Sequence, residues 1–381
     1  MSQVQNGSPP KASTTPWSLR IVTLFGIPIR LHFTFLLFLV YLVVVGLQGQ
    51  GSWVWPVLVI TLFGCVLLHE IGHALVALQY HVRTRDITLY PIGGLALLQD
   101  RPTPKQELVI ALAGPAVNLV IGGALFVVIR LQGINLAVPA APSSSFLVDV
   151  MKANLLLAAF NLIPAFPMDG GRVLRSALAI YTDFNRATQI AAGIGQGLAF
   201  ALGLAGFLSQ NFVLVFIAVL VFFGAGQEAS LTTARSFLEG HTVGDAMQSR
   251  YLTITHAATL DTAATMLLQG GQHEFPVLSG EEPVGLITSS EIARGLSDSD
   301  GDAYVAQYMD REIQTIGPSI ALTEAFELFN QTGARTMFVM DEENLVGVLT
   351  RDSVSEFIML EAARHHGKPR SGSAAPKMTD Q

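Results

Sequence analysis

Long apolar segments constrain this chain more than any other feature of its sequence. From Leu31 to about Gly226 the residues are mostly apolar, and this stretch contains six segments of about 17–25 residues. That is the length a helix needs to cross a hydrocarbon core of about 30 Å. The six segments are 31–49, 54–80, 107–131, 147–163, 187–208 and 211–227. They predict a membrane α-helical bundle of about six transmembrane helices.

Composition excludes several other classes of protein. Half of the 381 residues are hydrophobic and 13% are charged, whereas soluble domains carry about 25% charged residues. A soluble globule could not hide so much apolar surface. The net charge of −7 provides no positive field, so we expect no nucleic-acid partner. The single cysteine, Cys65, can form neither an internal disulfide nor a cysteine-rich zinc site.

The distribution of basic residues predicts the orientation in the membrane. Lysine and arginine cluster before segment one, between segments two and three, and between segments four and five, while the alternate loops have almost none. Because basic residues favour the cytosolic side, we expect the N-terminus and the C-terminal part to be cytosolic. A multi-pass protein of the cell membrane follows from this pattern. The polar residues 1–16 lack the apolar core of a signal peptide and predict a disordered tail.

The stretch from Val82 to Leu98 differs from the segments around it. It contains β-prone residues interrupted by Pro91, Gly93 and Gly94, and it is too short to span as a helix. Irregular or extended backbone is tolerated near lipid only where it lines a protein cavity. We therefore predict one or two strands at the cytosolic membrane boundary.

The polar C-terminal part contains an internal repeat. A shift of 62 positions places Val243–Met247 on Val305–Met309, and Gly285–Thr288 on Gly347–Thr350. A repeat of about 55 residues without a gap indicates two copies of one small α/β module. The expected domains are a tail over 1–16, a membrane core over 17–235, a linker over 236–241, modules over 242–300 and 301–362, and a tail over 363–381.

One motif inside the second segment indicates metal chemistry. The sequence His69-Glu70-Ile71-Gly72-His73 is an HExxH motif, and residues four apart share one face of a helix. The two imidazoles could therefore hold one metal ion, with Glu70 beside them to take a proton from a water molecule. Ionisable groups at membrane depth are costly and usually functional. The alternative is that the two histidines only form hydrogen bonds to neighbouring helices.

A catalytic zinc site needs a third protein ligand and an open position. Asp169 is a candidate, because two prolines break the chain before it and Gly170 and Gly171 free the backbone to turn its carboxylate inward. It could instead cap the helix that follows. The rival acids, all expected near surfaces, are Asp86, Asp100, Glu107, Asp149 and Asp183.

These motifs resemble the site-2 protease family of intramembrane zinc metalloproteases. The resemblance is carried by His69–His73, by the run NLIPAFPMDGGR over 161–172, by Ala113–Asn118 and by the Gly93–Gly94 region. The 62-residue repeat resembles a tandem pair of cystathionine-β-synthase (CBS) domains, which one branch of that family carries after its membrane core. Together the two resemblances cover about residues 17–362.

The family resemblance implies particular roles for site residues. His69, His73 and Asp169 would be the ligands of one catalytic Zn²⁺, and Glu70 would be the general base. Asn161 matches an asparagine thought to steady the substrate carbonyl or oxyanion, although an interhelical hydrogen bond would also explain it. We expect Asn118 and Asn154 to form structural polar contacts between spans, and Cys65 to be a packing residue.

The same resemblance implies the substrate and its handling. The expected function is hydrolysis of a peptide bond in or near the transmembrane helix of a single-span membrane protein. That helix must unwind before attack, and the strands of 82–98 could hold an extended stretch by β-augmentation. A purely structural hairpin is the alternative for these strands. A transporter or channel with a regulatory CBS pair is the competing function, and a catalytically silent zinc scaffold is a third.

The CBS-like pair suggests regulation by an adenine nucleotide. Many such domains place an aspartate three residues after a threonine, where it binds ribose. Here Glu291 follows Thr288 at that spacing, Ser353 follows Thr350, and Asp352 stands one place early. These departures weaken the nucleotide interpretation. A docking module, or a homodimer formed through the CBS domains, is the alternative.

Overall fold

The computed structural model describes residues 17–50, 54–91, 93–98, 102–134, 146–299 and 302–366. The predicted tail over 1–16 and most of the predicted tail over 363–381 lie outside the described residues. The chain divides into two compact units. We call residues 17–233 the membrane unit and residues 234–366 the C-terminal unit. The fold class predicted from the sequence, a membrane helix bundle followed by a tandem α/β module, is confirmed.

The membrane unit contains seven described helices. They are α1 (Phe33–Gln50), α2 (Val54–Gln79), α3 (Pro104–Leu131), α4 (Phe146–Asn161), α5 (Asp169–Ala179), α6 (Phe184–Leu208) and α7 (Phe212–Leu238). Each of the six apolar segments forms one of these helices, and α5 is the addition. By length and composition, α2, α3, α6 and α7 can each cross a membrane, while the apolar stretch of α1 and the 16-residue α4 are shorter.

A four-stranded sheet accompanies the helices of the membrane unit. Its strands are β1 (Ser18–Leu24), β2 (Ile27–His32), β3 (Thr84–Tyr90) and β4 (Gly93–Leu98), in the order β1-β2-β3-β4. Strands β3 and β4 form the antiparallel pair within the predicted 82–98 region. Strands β1 and β2 pair through a turn at Phe25 and Gly26, and they were not predicted from the sequence. The sequence does contain a hairpin signal, because two β-prone runs flank Gly26. In the structure Gly26 has a φ of +80°.

Burial in the membrane unit is consistent with a lipid environment. Large apolar side chains face outward on the long helices, as with Phe200 and Phe223, which are 72% and 71% exposed. Asn118 and Asn154 are instead completely buried. Helix α3 lies at the centre, where it packs against α2, α4 and α5. The polar side chains that could do chemistry therefore lie in the interior, around α3.

The C-terminal unit contains two matching sets of elements. The first set is α8 (Val243–Ala246), β5 (Ile254–Thr255), α9 (Leu260–Gly270), β6 (Glu274–Ser279), β7 (Glu282–Thr288) and α10 (Ser289–Asp298). The second is α11 (Val305–Tyr308), β8 (Thr315–Ile316), α12 (Leu322–Thr332), β9 (Thr336–Asp341), β10 (Asn344–Thr350) and α13 (Arg351–His366). Each set forms a three-stranded sheet over an apolar core, and the short first helix of each set packs into the core of the other: Val243 of α8 lies in the second core and Val305 of α11 in the first.

The two repeats exchange backbone contacts in a symmetric way. Leu286 pairs with Asp310 of the second repeat, and Val348 pairs with Gln248 of the first. A Cβ atom at Gly285 would lie 2.7 Å from the Asp310 carbonyl oxygen, and one at Gly347 would lie 3.2 Å from that of Gln248. The glycine shared by both repeats is therefore required because the other repeat's backbone crosses it closely.

The boundary before the repeats differs from the sequence expectation. Helix α7 continues to Leu238, inside the stretch 236–241 that the sequence analysis assigned to a linker. Leu238 is completely buried in the core of the second repeat. The apolar side chain at this position explains why the helix extends this far. At the other end, α13 continues to His366, past the expected boundary at 362.

Candidate metal centre

Helix α2 presents the two histidines of the HExxH motif on one face. The Nε2 atoms of His69 and His73 are 3.1 Å apart, and the rings are nearly perpendicular, at 83°. The side chains are buried, with 6% and 9% of each residue exposed. Two imidazole nitrogens thus point at the same small volume inside the protein.

Asp169 brings a carboxylate to the same volume from the other half of the membrane unit. Its Oδ2 atom lies 3.1 Å from His69 Nε2 and 3.2 Å from His73 Nε2. The alternative that Asp169 caps a helix does not fit, because Met168 occupies the cap position and Asp169 is the first residue of α5. Close packing positions α5, since a Cβ atom at Gly170 would lie 2.2 Å from the Ile163 carbonyl oxygen.

The three atoms have the geometry and chemistry of a zinc site. Their mutual distances of 3.1, 3.1 and 3.2 Å approach the separation of about 3.3 Å expected for tetrahedral ligands bonded at about 2.0–2.1 Å. Two imidazoles and one carboxylate form a typical catalytic donor set that leaves a fourth position open. Within the described part of the chain, no second group of three such side chains converges in this way. The residues present therefore fit a zinc ion.

Each imidazole also has a hydrogen-bond partner on its outer nitrogen. The Nδ1 atom of His73 lies 2.7 Å from the carbonyl oxygen of Ile110, which can only accept. His73 Nδ1 must therefore carry the hydrogen, and Nε2 keeps its lone pair for the metal. The Nδ1 atom of His69 lies 2.5 Å from Oδ1 of Asn118. This arrangement orients both rings toward the shared volume.

Gly114 on α3 makes room for the centre. A Cβ atom at this position would lie 2.2 Å from His73 Nε2 and 2.6 Å from His69 Nε2. Any side chain would therefore occupy the volume where the ligand atoms meet. The sequence analysis used the segment Ala113–Asn118 for the family resemblance but assigned Gly114 no role.

Glu70 lies beside the ligands and against strand β4. The ionisable groups near its carboxyl group are His69, His73, Asp169 and Arg172. A Cβ atom at Gly94 would lie only 2.4 Å from Glu70 Cγ and 2.9 Å from its Oε1. The glycine of β4 thus leaves space for the Glu70 carboxyl group between the strand and the metal-ligand cluster.

Asn161 is the last residue of α4 and is half-buried. The sequence analysis left open whether its amide forms an interhelical hydrogen bond. Among the described residues no hydrogen bond from the Asn161 side chain to another helix is found, and its role toward a substrate stays a prediction.

Of the rival acids, Asp100 lies outside the described residues, the other four do not join the cluster of His69, His73 and Asp169, and two of these four are buried against expectation. Glu107 and Asp86 were expected near surfaces, yet only 7% and 3% of these residues are exposed. Glu107 forms an ion pair with Arg175, and its Oε2 atom accepts a 2.9 Å hydrogen bond from Ser176. Asp86 pairs with Arg85. The partner of Glu107 is 68 residues away in sequence, where local sequence patterns do not reveal it, whereas the partner of Asp86 is the adjacent residue.

Arg175 connects three helices of the membrane unit. Its guanidinium group pairs with Glu107 of α3 and Glu228 of α7, while Arg175 itself belongs to α5. It also lies 5.0 Å from the centre of the Phe166 ring and 4.9 Å from that of Phe184. Arg175 was predicted from the sequence to lie among the basic residues between segments four and five, but the structure buries it in α5. It anchors the helix that begins with Asp169.

The predicted nucleotide residues of the C-terminal unit cap helices. The backbone N–H of Thr288 donates to Glu291 Oε2 over 2.7 Å, which forms a capping box at the start of α10. Thr350 and Ser353 exchange two 3.0 Å bonds at the start of α13. Asp352 is exposed. Capping accounts for these residues by itself, so their role toward a nucleotide stays a prediction.

Comparison with known proteins adds independent evidence. The model of peptidase family M50 matches residues 57–147 and 135–204, and that of the CBS domain matches 243–298 and 305–360. The zinc metalloprotease MJ0392 of Methanocaldococcus jannaschii is 34% identical over 340 residues, which cover 89% of this chain and 95% of that protein. The putative zinc metalloprotease Rip3 of Mycobacterium tuberculosis is 30% identical over 336 residues, covering 83% and 82%.

A solved structure of the site-2 protease from Methanocaldococcus jannaschii shares 43% sequence identity with this chain. It covers 56% of this chain and 95% of its own, with a TM-score of 0.44. The family match, the similarity over nearly the whole of a zinc metalloprotease and the two CBS matches agree with the resemblance found in the sequence. This chain therefore belongs to peptidase family M50, the site-2 proteases, and is an intramembrane zinc metalloprotease with a tandem CBS pair.

Proposed function

We propose that His69, His73 and Asp169 hold the catalytic zinc ion of this protease. The observation that carries the proposal is the triangle of 3.1–3.2 Å formed by His69 Nε2, His73 Nε2 and Asp169 Oδ2 inside the membrane unit. His69 and His73 lie 100 and 96 residues before Asp169 in sequence, so the convergence does not follow from local structure. A transporter or channel would not require it.

Glu70 is the proposed general base. A zinc ion in this centre supplies Lewis-acid chemistry, polarising the scissile carbonyl and acidifying a water molecule. Glu70 takes a proton from the attacking water and later delivers it to the leaving amine. The Asn161 amide donates a hydrogen bond to the carbonyl oxygen as negative charge develops.

The proposed substrate is a single-span membrane protein, cut in or near its transmembrane helix. Strand β4 supports this, because it is the last strand of the sheet and its Gly94 lies against Glu70. Among the described residues, no strand pairs with the other edge of β4. An unwound stretch of substrate could add to that edge, which would place its peptide bonds beside the general base.

We place the protein in the cell membrane, with its N-terminus and the CBS pair in the cytosol. The uneven distribution of lysine and arginine supports this orientation. The proposed division is a proteolytic core over 17–235 and two CBS modules over 242–300 and 301–362. The CBS pair would regulate cleavage through an adenine nucleotide or through formation of a homodimer.

Equivalent positions of the two repeats support the binding of a ligand by the CBS pair. Glu274 and Thr336 are 62 residues apart, and each has a buried side-chain oxygen without a hydrogen-bond partner. Glu274 pairs across its sheet with Thr288, and Thr336 with Thr350. Calorimetry on the full chain with ATP, ADP and AMP tests the nucleotide. Heat with one of them supports regulation by that nucleotide, and its absence with all three favours docking.

The test of the proposed function is a cleavage assay in liposomes with a panel of single-span membrane proteins. Wild type should cut at least one of them, and Glu70→Gln should cut none while retaining zinc. A wild-type protein that transports ions or solutes across the same liposomes and cuts nothing would favour the transporter alternative.

A further inference from the structure

A buried chain of hydrogen bonds extends from His69 away from the metal centre, through Asn118 and Asn154 to Val150. His69 Nδ1 lies 2.5 Å from Asn118 Oδ1, and Asn118 Nδ2 donates to Asn154 Oδ1 over 2.8 Å. Asn154 Nδ2 then donates to the carbonyl oxygen of Val150 over 2.8 Å. Both asparagines are completely buried. These hydrogen bonds join α2 to α3 and α3 to α4.

The last acceptor fixes the direction of every bond in this chain. The Val150 carbonyl can only accept, so the amide nitrogen of Asn154 must face it. The Asn154 oxygen must then face Asn118, and the amide nitrogen of Asn118 must face Asn154. This leaves the Asn118 oxygen toward His69, so His69 Nδ1 carries the hydrogen. Asn154 Nδ2 also lies 3.3 Å from Cys65 Sγ, a second acceptor that favours the same orientation.

We infer that Asn118 and Asn154 are positioning residues, which hold His69 in the Nδ1–H tautomer so that its Nε2 lone pair faces the metal. The inference rests on the proposed zinc role of His69. His73 needs no such pair, because its Nδ1 donates directly to the Ile110 carbonyl. Among the described residues, the partner of His69 Nδ1 is the Asn118 side chain and not a backbone carbonyl. The Val150 carbonyl therefore orients the Asn154 amide, which in turn orients the Asn118 amide. The sequence analysis expected only structural contacts between spans from these asparagines.

The test compares zinc affinity among variants at Asn118. Asn118→Leu removes the acceptor for His69 Nδ1, and its zinc dissociation constant should rise about 10–100-fold, with faster loss of zinc to a chelator. Asn118→Asp also loses the donor to Asn154 but keeps an acceptor at His69. Its affinity should stay within about threefold of wild type. A purely structural role predicts that both substitutions weaken zinc binding equally.

Thr188→Val is the matched control. Thr188 is completely buried in α6, and its hydroxyl donates to the Phe184 carbonyl, outside the chain that ends at His69. Its zinc affinity should equal that of wild type. If Asn118→Leu does not fold, Asn154→Leu serves in its place, because it removes the link to Val150 and should weaken zinc binding about 3–10-fold.

Three results separate the possible failures. Equal affinities for wild type and Asn118→Leu would overturn the inference while leaving the proposed function intact. Equal losses in Asn118→Leu and Asn118→Asp would overturn it as well. A wild-type protein that binds no zinc would instead refute the proposed function itself.

Discussion

The two units of this protein differ in the polar side chains that they bury and the apolar side chains that they expose. In the membrane unit, Asn118 and Asn154 are completely buried while Phe223 is 71% exposed. In the C-terminal unit, Phe275 and Leu349 are completely buried, as in an ordinary soluble domain. The difference follows from the solvent of each unit, since lipid accepts apolar side chains and water accepts polar ones.

Polar side chains have different roles in the two units. A buried polar group is costly in any interior, and the membrane unit buries two prominent sets of them: the cluster of His69, His73 and Asp169, and the ion pair of Glu107 and Arg175. The C-terminal unit uses many of its polar side chains to cap helices, as Thr288 and Thr350 do. Substitutions in the His69–His73–Asp169 cluster should therefore affect catalysis, whereas substitutions in the Glu107–Arg175 pair or in the C-terminal unit should affect stability or regulation.

Glu70→Gln should have the largest effect. Loss of a general base should reduce cleavage about 10²–10⁴-fold, because glutamine cannot accept the proton from water. Zinc content, measured by metal analysis of the same preparation, should equal that of wild type. Cleavage at the wild-type rate would remove Glu70 from the proposed mechanism.

Arg175→Leu tests whether the buried ion pair of Arg175 and Glu107 stabilises the membrane unit. The substitution leaves Glu107 buried without its ion-pair partner, which should reduce stability by about 3–5 kcal/mol. Thermal unfolding in detergent measures this loss. As a control, Arg186→Leu removes an arginine whose backbone N–H contacts the Asp183 side chain at the surface, and it should change the melting temperature little. Equal effects of both substitutions would contradict the structural role of the Arg175 network.

Gly285→Ala tests the close crossing of the two CBS repeats. The new Cβ atom would lie 2.7 Å from the Asp310 carbonyl, which should reduce the stability of the C-terminal unit by about 1–3 kcal/mol. Gly64→Ala in the membrane unit is the control, because a Cβ atom there meets nothing within 4 Å. Thermal unfolding checks both variants. An unchanged melting temperature for Gly285→Ala would show that the repeats do not approach as described.

Glu274→Gln should have the smallest effect, and it should depend on pH. Burial raises the pKa of the Glu274 carboxyl above its usual range, while the Arg335 charge acts in the opposite direction. The Asp352 and Glu291 carboxylates raise this pKa further, and His273 lowers it. The folded protein therefore holds this proton at higher pH than the unfolded chain does, so the wild type loses stability as pH rises through the folded-state pKa.

Glutamine removes that loss. The melting temperature of Glu274→Gln should exceed that of wild type by about 1–3 °C at neutral pH. The gain should vanish below about pH 3, where the carboxyl is protonated in both states. A gain of the same size at both pH values would show that the ionisation of Glu274 is not its cause.

The sequence predicted the features that local patterns determine. Hydropathy located all six apolar helices, a shift of 62 positions located the CBS repeat, and the four-residue spacing of His69 and His73 placed both imidazoles on one face. Asp169 was identified because two prolines and two glycines break the regular pattern around it. The family resemblance then supported its role as the third ligand.

Contacts between residues that are far apart in the chain could not be predicted from the sequence. The burial of Glu107 depends on Arg175, 68 residues away, and only the packing of α3 against α5 makes them neighbours. The hairpin of β1 and β2 was missed because the apolar segment that begins at Leu31 dominates the local signal. The direction of the Asn118–Asn154 hydrogen bonds depends on the Val150 carbonyl, which no sequence pattern could place beside them.

X-ray absorption spectroscopy at the zinc edge, on the purified full-length protein, tests the central claim most directly. The account predicts one zinc ion per chain with two imidazole nitrogens and oxygen ligands at about 2.0–2.2 Å. A sulfur ligand at about 2.3 Å, or a spectrum without imidazole scattering, would contradict a centre formed by His69, His73 and Asp169.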